Sequence, residues 1–408
     1  MLWSRKATPT HERTRHAGID LTASRISGLS AGAGKVRPLV LDGQIEELPL
    51  FVALDRRVPE VGQAGYGLCR KASHSICSNF LPALAQEREW RVGRHVFTPE
   101  SALELALLKI REPVLAESEM AVLALPAYLI PIQVARVVAA AARTKFPLKG
   151  TAVGPLALVA MRAAAVSTGK PVVLGEPAPD WVIRLRPTSD GPGTVVVVDV
   201  DEYALSAVVV AVERDRVRLV TAACWPRFSQ KAWKDRLIDA VADRCVRLCR
   251  RDPRDSADAE QSLFEQLDEA LDRARAGQRI SLTVRTAHWF QDVILQPDEF
   301  AGLCTLAKGA AEAIRDMLGE IGLPVPPREV WLTHEANRLP GLHPTIHANS
   351  HEGTAIEILP RRAVAHAAAV LVSRWLSAEL PRAHLDSTIP LPASRSELPA
   401  EKPKTGRR

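Results

Sequence analysis

The chain has 408 residues, of which 47% are hydrophobic and 25% are charged. This balance is that of a globular protein with room for two or three domains, and it excludes a chain that is disordered throughout. The 53 basic and 47 acidic side chains leave a net charge of only +6, which is too small an excess over this length to indicate nucleic-acid binding.

The sequence also argues against secreted and membrane proteins. Charged residues such as Arg162, Asp199 and Asp201 interrupt the most apolar windows, whereas a membrane-spanning helix needs about 20 apolar residues in a row. The basic N-terminal residues lack the apolar run of a secretory signal. The six cysteines contain no C-x-x-C pair, so we interpret them as reduced thiols. We therefore expect a cytoplasmic protein without a membrane partner.

The first half of the chain begins with a strand that turns directly into a second strand. Residues 18–21 and 26–29 are predicted strands, and the short polar segment 22–24 predicts a tight turn between them. Asp20 therefore lies near the carboxyl end of the first strand. The other elements predicted in this half are an extended segment at 50–62, a helix that begins at Thr98-Pro99-Glu100, a strand at 121–126, and Ala-rich helices at 133–143 and 156–168.

The same pattern starts again near residue 193. The β-branched residues 195–198 lead to Asp199, and a turn then precedes a predicted strand at 207–213. The other elements predicted here are strands at 216–222, 279–285, 289–295 and 330–333, and helices at 232–249, 259–276, 298–321 and 362–380. Because both halves begin with a strand that carries an acid near its end, the sequence predicts an α/β protein of two similar lobes.

Seven short segments carry a resemblance to a known family. They are GIDL at 18–21, VGQA at 61–64, LPAY at 125–128, VDV at 198–200, WLT at 331–333, NRLPG at 337–341 and PRRAVAHAA at 360–368. In their order and approximate spacing, these segments resemble the nucleotide-binding domain of the DnaK-type, seventy-kilodalton heat-shock chaperones. The resemblance implies an actin-like (ribonuclease H-like) ATPase fold, in which two similar lobes surround a central cleft.

The resemblance also implies a division of the chain. Residues 16–190 would form lobe I and residues 191–381 lobe II. A polar, basic arm at 1–15 and a proline-containing tail at 382–408 are predicted to be disordered. The family's β-sandwich substrate-binding domain and helical lid would have no room in this chain.

In the resembled family, ATP and magnesium lie between the lobes. The resemblance places Asp20 and Asp199 at the catalytic and magnesium-binding carboxylate positions. It places the nucleotide-binding positions at Thr22, Ala23, Ser24, Asp201, Glu202, His334, Glu335 and Arg338. Glycine-rich turns cradle the phosphates in this family, because only glycine allows so close an approach of the backbone.

Several of these positions depart from the family's pattern. Thr22 stands at a glycine position of the first turn, residues 201–203 replace three glycines of the second turn, and His334-Glu335 replace two glycines of the adenosine segment. Asp201 and Glu202 would also bring negative charge toward a polyphosphate. A pair of like charges about 5 Å apart repels by roughly 3 kcal/mol at an effective dielectric of about 20.

These departures favour a heat-shock chaperone-family homologue that consists of the nucleotide-binding-domain fold only. It would be a pseudoenzyme that binds unknown protein partners or regulates them, with at most a weak ATPase activity and without a cofactor. The alternative is a working ATP-binding ATPase with unusual loops, which would use ATP and magnesium. A sugar or acyl-group kinase on the same superfold fits less well, because those enzymes also need glycine-rich phosphate turns.

Three histidines near the end of the chain have the spacing of a helix face. On an ideal helix, His343, His347 and His351 would lie on one side and could bind zinc or nickel. Pro344 is compatible only with the start of a helix, however, and Gly353 predicts that the helix ends early. We favour a polar, partly exposed segment and leave metal binding as the alternative.

Overall fold

The structure is a computed structural model that describes residues 15–32, 35–168, 193–286, 288–380 and 383–392. It is a mixed α/β structure, as predicted. Apart from Arg15, the predicted N-terminal arm lies outside the described residues, as does the predicted tail from residue 393. None of the helices in the described ranges has the length and apolarity that crossing a bilayer requires.

The described residues form twenty strands and eleven helices. The strands are β1 (His16–Leu21), β2 (Arg25–Gly32), β3 (Lys35–Pro38), β4 (Glu47–Pro49), β5 (Val52–Ala53), β6 (Glu60–Val61), β7 (Ile76–Cys77), β8 (Trp90–Val92), β9 (His95–Phe97), β10 (Met120–Leu125), β11 (Leu148–Val153), β12 (Gly193–Val200), β13 (Leu205–Val212), β14 (Arg216–Trp225), β15 (Ile280–Arg285), β16 (Phe290–Leu295), β17 (Glu329–Leu332), β18 (Ala355–Ile358), β19 (His384–Leu385) and β20 (Thr388–Pro390). The helices are α1 (Gln63–Tyr66), α2 (Pro99–Glu117), α3 (Pro131–Arg143), α4 (Gly154–Thr168), α5 (Gln230–Cys249), α6 (Ala257–Arg275), α7 (Pro297–Gly302), α8 (Leu306–Ile321), α9 (His334–Arg338), α10 (Leu342–Asn349) and α11 (Ala363–Leu376).

Two large sheets share the same order of five strands, and each has one further short strand at an edge. The first sheet runs β19-β11-β10-β1-β2-β3, with β4 also paired to β2, and the second runs β18-β17-β12-β13-β14-β20. In each sheet, three sequential antiparallel strands form one side, and two later strands extend the first of them in parallel. The hairpins β1–β2 and β12–β13, which were predicted from the sequence, therefore occupy equivalent positions in the two sheets.

Helices α4 and α11 pack between the two sheets. Residues 156–164 of α4 and 363–369 of α11 are buried without a break, which is typical of helices enclosed on every side. Their apolar side chains join strands of both sheets in one hydrophobic cluster. The helices predicted at 156–168 and 362–380 thus form the layer between the two sheets.

Close packing of α11 depends on a glycine in β1. A Cβ atom at Gly18 would lie 2.0 Å from the carbonyl oxygen of Ala365 and 2.3 Å from the backbone nitrogen of Ala369. The helix backbone can approach β1 this closely only because Gly18 has no side chain. Helix α11 follows the second sheet along the chain, and yet it packs directly on the first.

Two local predictions were wrong. The single helix predicted at 298–321 is divided into α7 and α8 by residues 303–305. Gly302 and Thr305 flank the break, and both residue types are unfavourable in a helix interior. The helix predicted at 362–380 ends at Leu376.

The C-terminal segment 383–392 was predicted to be disordered, and it is ordered instead. Its two short strands extend the two sheets: β19 pairs with β11 of the first sheet, and β20 pairs with β14 of the second. Leu385 and Ile389 are buried. The segment is too short to show periodicity, and its strands exist because the two sheet edges supply their partners.

Candidate functional site

Two hairpin turns meet at the carboxyl ends of β1 and β12. The backbone N–H of Ala23, in the first turn, donates to Oδ2 of Asp201 in the second turn at 2.9 Å. In return, the N–H of Glu202 donates to Oγ of Ser24 at 2.6 Å. Thr22 accepts hydrogen bonds only within its own turn, from the N–H groups of Ser24 and Arg25. The two turns that the resemblance aligns with the family's phosphate-binding turns are therefore hydrogen-bonded directly to each other.

Asp201 is the centre of this contact. Besides the bond from Ala23, its Oδ2 accepts the hydroxyl of Tyr128 at 2.6 Å. Its Oδ1 accepts the N–H groups of Tyr203 at 2.9 Å and Ala204 at 3.0 Å. Burial raises the pKa of Asp201, and these donors act in the opposite direction. The Asp201 carboxylate thus lies between the two turns and accepts the N–H groups that a bound anion would otherwise accept.

Asp20 and Asp199 lie beneath the turns. Oδ1 of Asp199 accepts the hydroxyl of Thr333 at 2.6 Å. Burial raises the pKa of Asp199 to about 6, and burial together with the nearby charge of Asp199 raises the pKa of Asp20 to about 8. Two carboxyls with separated pKa values can share one proton near neutral pH, which is a property of general acid–base sites.

This pair predicts a pH-dependent stability. A carboxyl whose pKa is raised by folding holds its proton more tightly in the folded protein. Its contribution to stability is present below the unfolded pKa, about 4, and is lost as the pH rises through about 8. We expect Asp20→Asn, which removes the ionisation, to raise the free energy of unfolding at pH 8 by about 3 kcal/mol more than at pH 5. Urea unfolding at both pH values measures this.

The exposed Asp55 provides the control, because Asp55→Asn should change the stability by the same small amount at both pH values. An Asp20→Asn variant whose effect is equal at pH 5 and pH 8 would contradict the assignment of a raised pKa to Asp20.

A chain of buried ion pairs forms one wall of the cleft beside the turns. Oε1 of Glu335 is 2.9 Å from Nη2 of Arg25, and its Oε2 is 2.7 Å from Nη1 of Arg338. His334 Nδ1 also lies 3.0 Å from Oε1 of Glu335. Burial acts to raise the pKa of Glu335, but Arg25 and the neighbouring donors hold it well below its usual range. Arg338 in turn donates to the backbone oxygen of Asp268 at 2.6 Å.

The outer end of the cleft is closed by side chains from both halves of the chain. The hydroxyl of Tyr66 donates to Oδ2 of Asp268 at 2.8 Å, and Nζ of Lys234 lies 2.9 Å from the same oxygen. Lys234 is 2% exposed, lies 3.8 Å from Oε1 of Glu202, and stacks over the ring of Phe264. These contacts join the segment around α1 to helices α5 and α6.

The cleft encloses a cavity of about 400 Å³. The formally charged side chains that line it are four basic ones, Arg25, Lys234, Arg338 and Arg361, and six acidic ones, Glu47, Glu202, Glu265, Asp268, Glu269 and Asp272. This leaves a formal excess of two negative charges in the lining of the cavity. Such a surface repels a polyphosphate and attracts cations.

The arrangement does not fit the phosphates of a nucleotide. The Ala23 N–H already has a carboxylate acceptor, and Glu202 is buried beside it. Magnesium would have Asp20 and Asp199 as ligands. Among the described residues there is no group of three or more histidine, cysteine, aspartate or glutamate side chains positioned to hold a metal. The same finding covers the three histidines that were considered as a zinc or nickel site. His343 and His347 lie on α10, and His351 follows the end of that helix.

Several residues of the site were not singled out from the sequence. Arg25, Tyr128, Lys234 and Asp268 all contact the predicted positions. Tyr128 could have been identified from the sequence, because it belongs to the LPAY segment that carries part of the resemblance. The others carry no local signal, because their partners are distant in sequence. Compared with protein-family models and with curated proteins, the chain matches none.

Proposed function

We propose that the chain is a relative of the DnaK-type nucleotide-binding domain, with an actin-like fold, that acts by binding protein partners and not through an ATPase cycle. Two observations support the fold assignment. Five strands of each sheet, β11-β10-β1-β2-β3 and β18-β17-β12-β13-β14, have the same order. Two of the segments that resemble the family lie at equivalent places in these sheets, GIDL in β1 and VDV in β12.

One observation carries the functional part of the proposal. The carboxylate of Asp201 accepts the N–H of Ala23 from the opposite turn. A bound phosphate would need that N–H, and it would have to displace a buried carboxylate that has four hydrogen-bond donors of its own. Each of these buried donors that the phosphate did not bond in place of Asp201 would lose its partner, at a cost of about 1–3 kcal/mol. Tight nucleotide binding is therefore disfavoured.

Three sets of contacts also favour a protein in which the two sides of the cleft keep one relative position. Tyr66 and Arg70 bond to α5 and α6 at the outer end of the cleft. The two turns bond to each other, and the segment 383–392 adds a strand to each sheet. A cleft that opens and closes with nucleotide would have to break these ties in every cycle. A binding surface for a partner benefits from them, because a rigid surface loses less entropy on binding.

Calorimetric titration with magnesium-ATP, and in parallel with ADP, tests the proposal. We expect no measurable heat, and no shift in melting temperature at millimolar nucleotide. Hydrogen exchange of the peptides that contain residues 20–26 and 199–206 should be the same with and without nucleotide. An active DnaK-type chaperone, titrated from the same nucleotide stocks, serves as the positive control. Binding at micromolar strength would overturn the proposal.

The pair Asp20 and Asp199 favours the alternative function, a working ATPase that uses ATP and magnesium. The resemblance assigns both carboxyls to the family's carboxylate positions, and their raised pKa values are typical of reactive groups. If nucleotide binds, Asp20→Asn and Asp199→Asn should each abolish its effect on the melting temperature. Under our proposal neither variant changes the response to nucleotide, since there is none to lose.

A further inference from the structure

A second cavity lies between helices α8 and α10 and the loop that follows α8. Its volume is about 380 Å³, and it shares no lining residue with the cleft cavity. Its walls are mostly apolar and include Ile314 and Leu318 from α8, Leu323 from the loop, Val330 from β17 and Ile346 from α10. Pockets that bind small molecules commonly have this size and this kind of lining.

The loop wall of this cavity is held in place. Pro326 and Pro327 restrict the backbone of the loop. The hydroxyl of Thr354 donates to the backbone oxygen of Pro327 at 2.9 Å, and the N–H of Arg328 donates to the backbone oxygen of Thr194 at 2.9 Å. The cavity is therefore formed before any ligand arrives, and a ligand would lose little affinity to ordering of the loop.

The rim of the cavity has a basic side. Arg315 is the one formally charged side chain among its described lining residues, and His351 and Asn349 lie on the same rim. The Arg315 guanidinium is about half exposed and donates to Oδ1 of Asn349 at 3.2 Å. Nη1 makes that bond, and Nη2 is 3.7 Å from the exposed carboxylate of Asp316. Because each of these nitrogens carries two hydrogens, the half-exposed guanidinium keeps donors for a further acceptor.

We propose that this cavity binds a small amphipathic anion, specifically a carboxylate with an unbranched apolar chain of about ten carbons. The chain would lie against Ile314, Leu318 and Ile346, and the carboxylate would reach Arg315 at the rim. Charge complementarity selects this class: the lining offers a cationic group and no carboxylate of its own. The proposal is independent of what the cleft binds.

The test compares three ligands that share a ten-carbon chain and differ in the charge of the head group. Calorimetric titration of the full chain should show saturable binding of decanoate, weaker binding of decanol and none of decyltrimethylammonium. Arg315→Gln should weaken decanoate binding about tenfold, which corresponds to the loss of one charge-assisted hydrogen bond. The matched control is Lys308→Gln, which removes an exposed charge from the same helix outside the cavity and should leave binding unchanged.

A filling variant tests the location of the site. A Cβ atom at Gly319 in α8 would meet no atom within 4 Å, so Gly319→Leu adds bulk beside the cavity without a clash. Leucine is also the better helix former. This variant should abolish decanoate binding while its melting temperature stays at or above that of the parent protein. Absence of saturable binding, equal binding of the three ligands, or binding that survives Gly319→Leu would overturn the proposal. Either of the last two results would indicate non-specific association of the ligand with an apolar surface outside this cavity.

Discussion

Gly18→Ala should destabilise the protein strongly. The added methyl group would lie 2.0 Å from the backbone oxygen of Ala365, well inside any allowed contact distance. Because the obstructing atoms belong to the backbone of α11 and not to a flexible side chain, the whole helix must move away from β1. That shift would open the buried cluster between the two sheets. We expect the free energy of unfolding to fall by about 4 kcal/mol, measured by urea unfolding monitored by circular dichroism.

The matched control is Gly302→Ala, at the end of α7. A Cβ atom there meets no atom within 4 Å, so the same substitution should change stability by less than about 1 kcal/mol. If Gly18→Ala and Gly302→Ala have equal effects, α11 does not pack on β1 as closely as described.

Asp201→Ala should destabilise the protein to a similar extent. It removes the acceptor of three backbone N–H groups, those of Ala23, Tyr203 and Ala204, and of the Tyr128 hydroxyl. Each buried donor left without a partner costs about 1–3 kcal/mol. Some of these donors will gain water when the side chain is removed, so we expect a total loss of about 4 kcal/mol in urea unfolding.

Asp201→Asn separates the contact between the turns from the turn itself. The amide oxygen can still accept from Tyr203 and Ala204, but the amide nitrogen cannot accept the Ala23 N–H. We expect a smaller loss, about 1–3 kcal/mol, together with faster hydrogen exchange at Ala23. Asp292→Asn is the control, because that carboxylate is exposed and accepts the Thr283 hydroxyl, so its loss should cost little. Unchanged exchange at Ala23 in Asp201→Asn would contradict the proposed contact.

Local patterns in the sequence were sufficient for most of the individual elements. The two hairpins were predicted from short apolar runs on either side of polar turns, and they form β1–β2 and β12–β13. The start of α2 was predicted from Thr98 and Pro99, and the Thr98 side chain does accept the N–H of Ser101 as a helix cap. The strand β11 was missed because Lys149 and Gly150 interrupt its apolar pattern, and β18 was missed because it has only four residues.

The site could be predicted only in part. Sequence reasoning located Asp20, Asp199, Asp201 and Glu335 and inferred that charge at the turns would oppose a polyphosphate. It did not reveal that Asp201 accepts a hydrogen bond from Ala23, because the two residues are 178 positions apart. Nor did it reveal the partners of Lys234, because a lysine side chain in a predicted helix is expected to be exposed to solvent, whereas this one is buried.

The sequence by itself determined the class of the protein, the positions of its main strands and helices, and the two-fold repetition of an acid-bearing hairpin. These features depend on the period of apolar residues and on turn chemistry, which act over a few neighbouring positions. Only the tertiary structure decided that the two turns bond to each other, that α11 packs on the first sheet across Gly18, and that residues 383–392 form strands. Each of those outcomes depends on groups that are brought together by the fold from distant parts of the chain, where local pattern carries no information about partners.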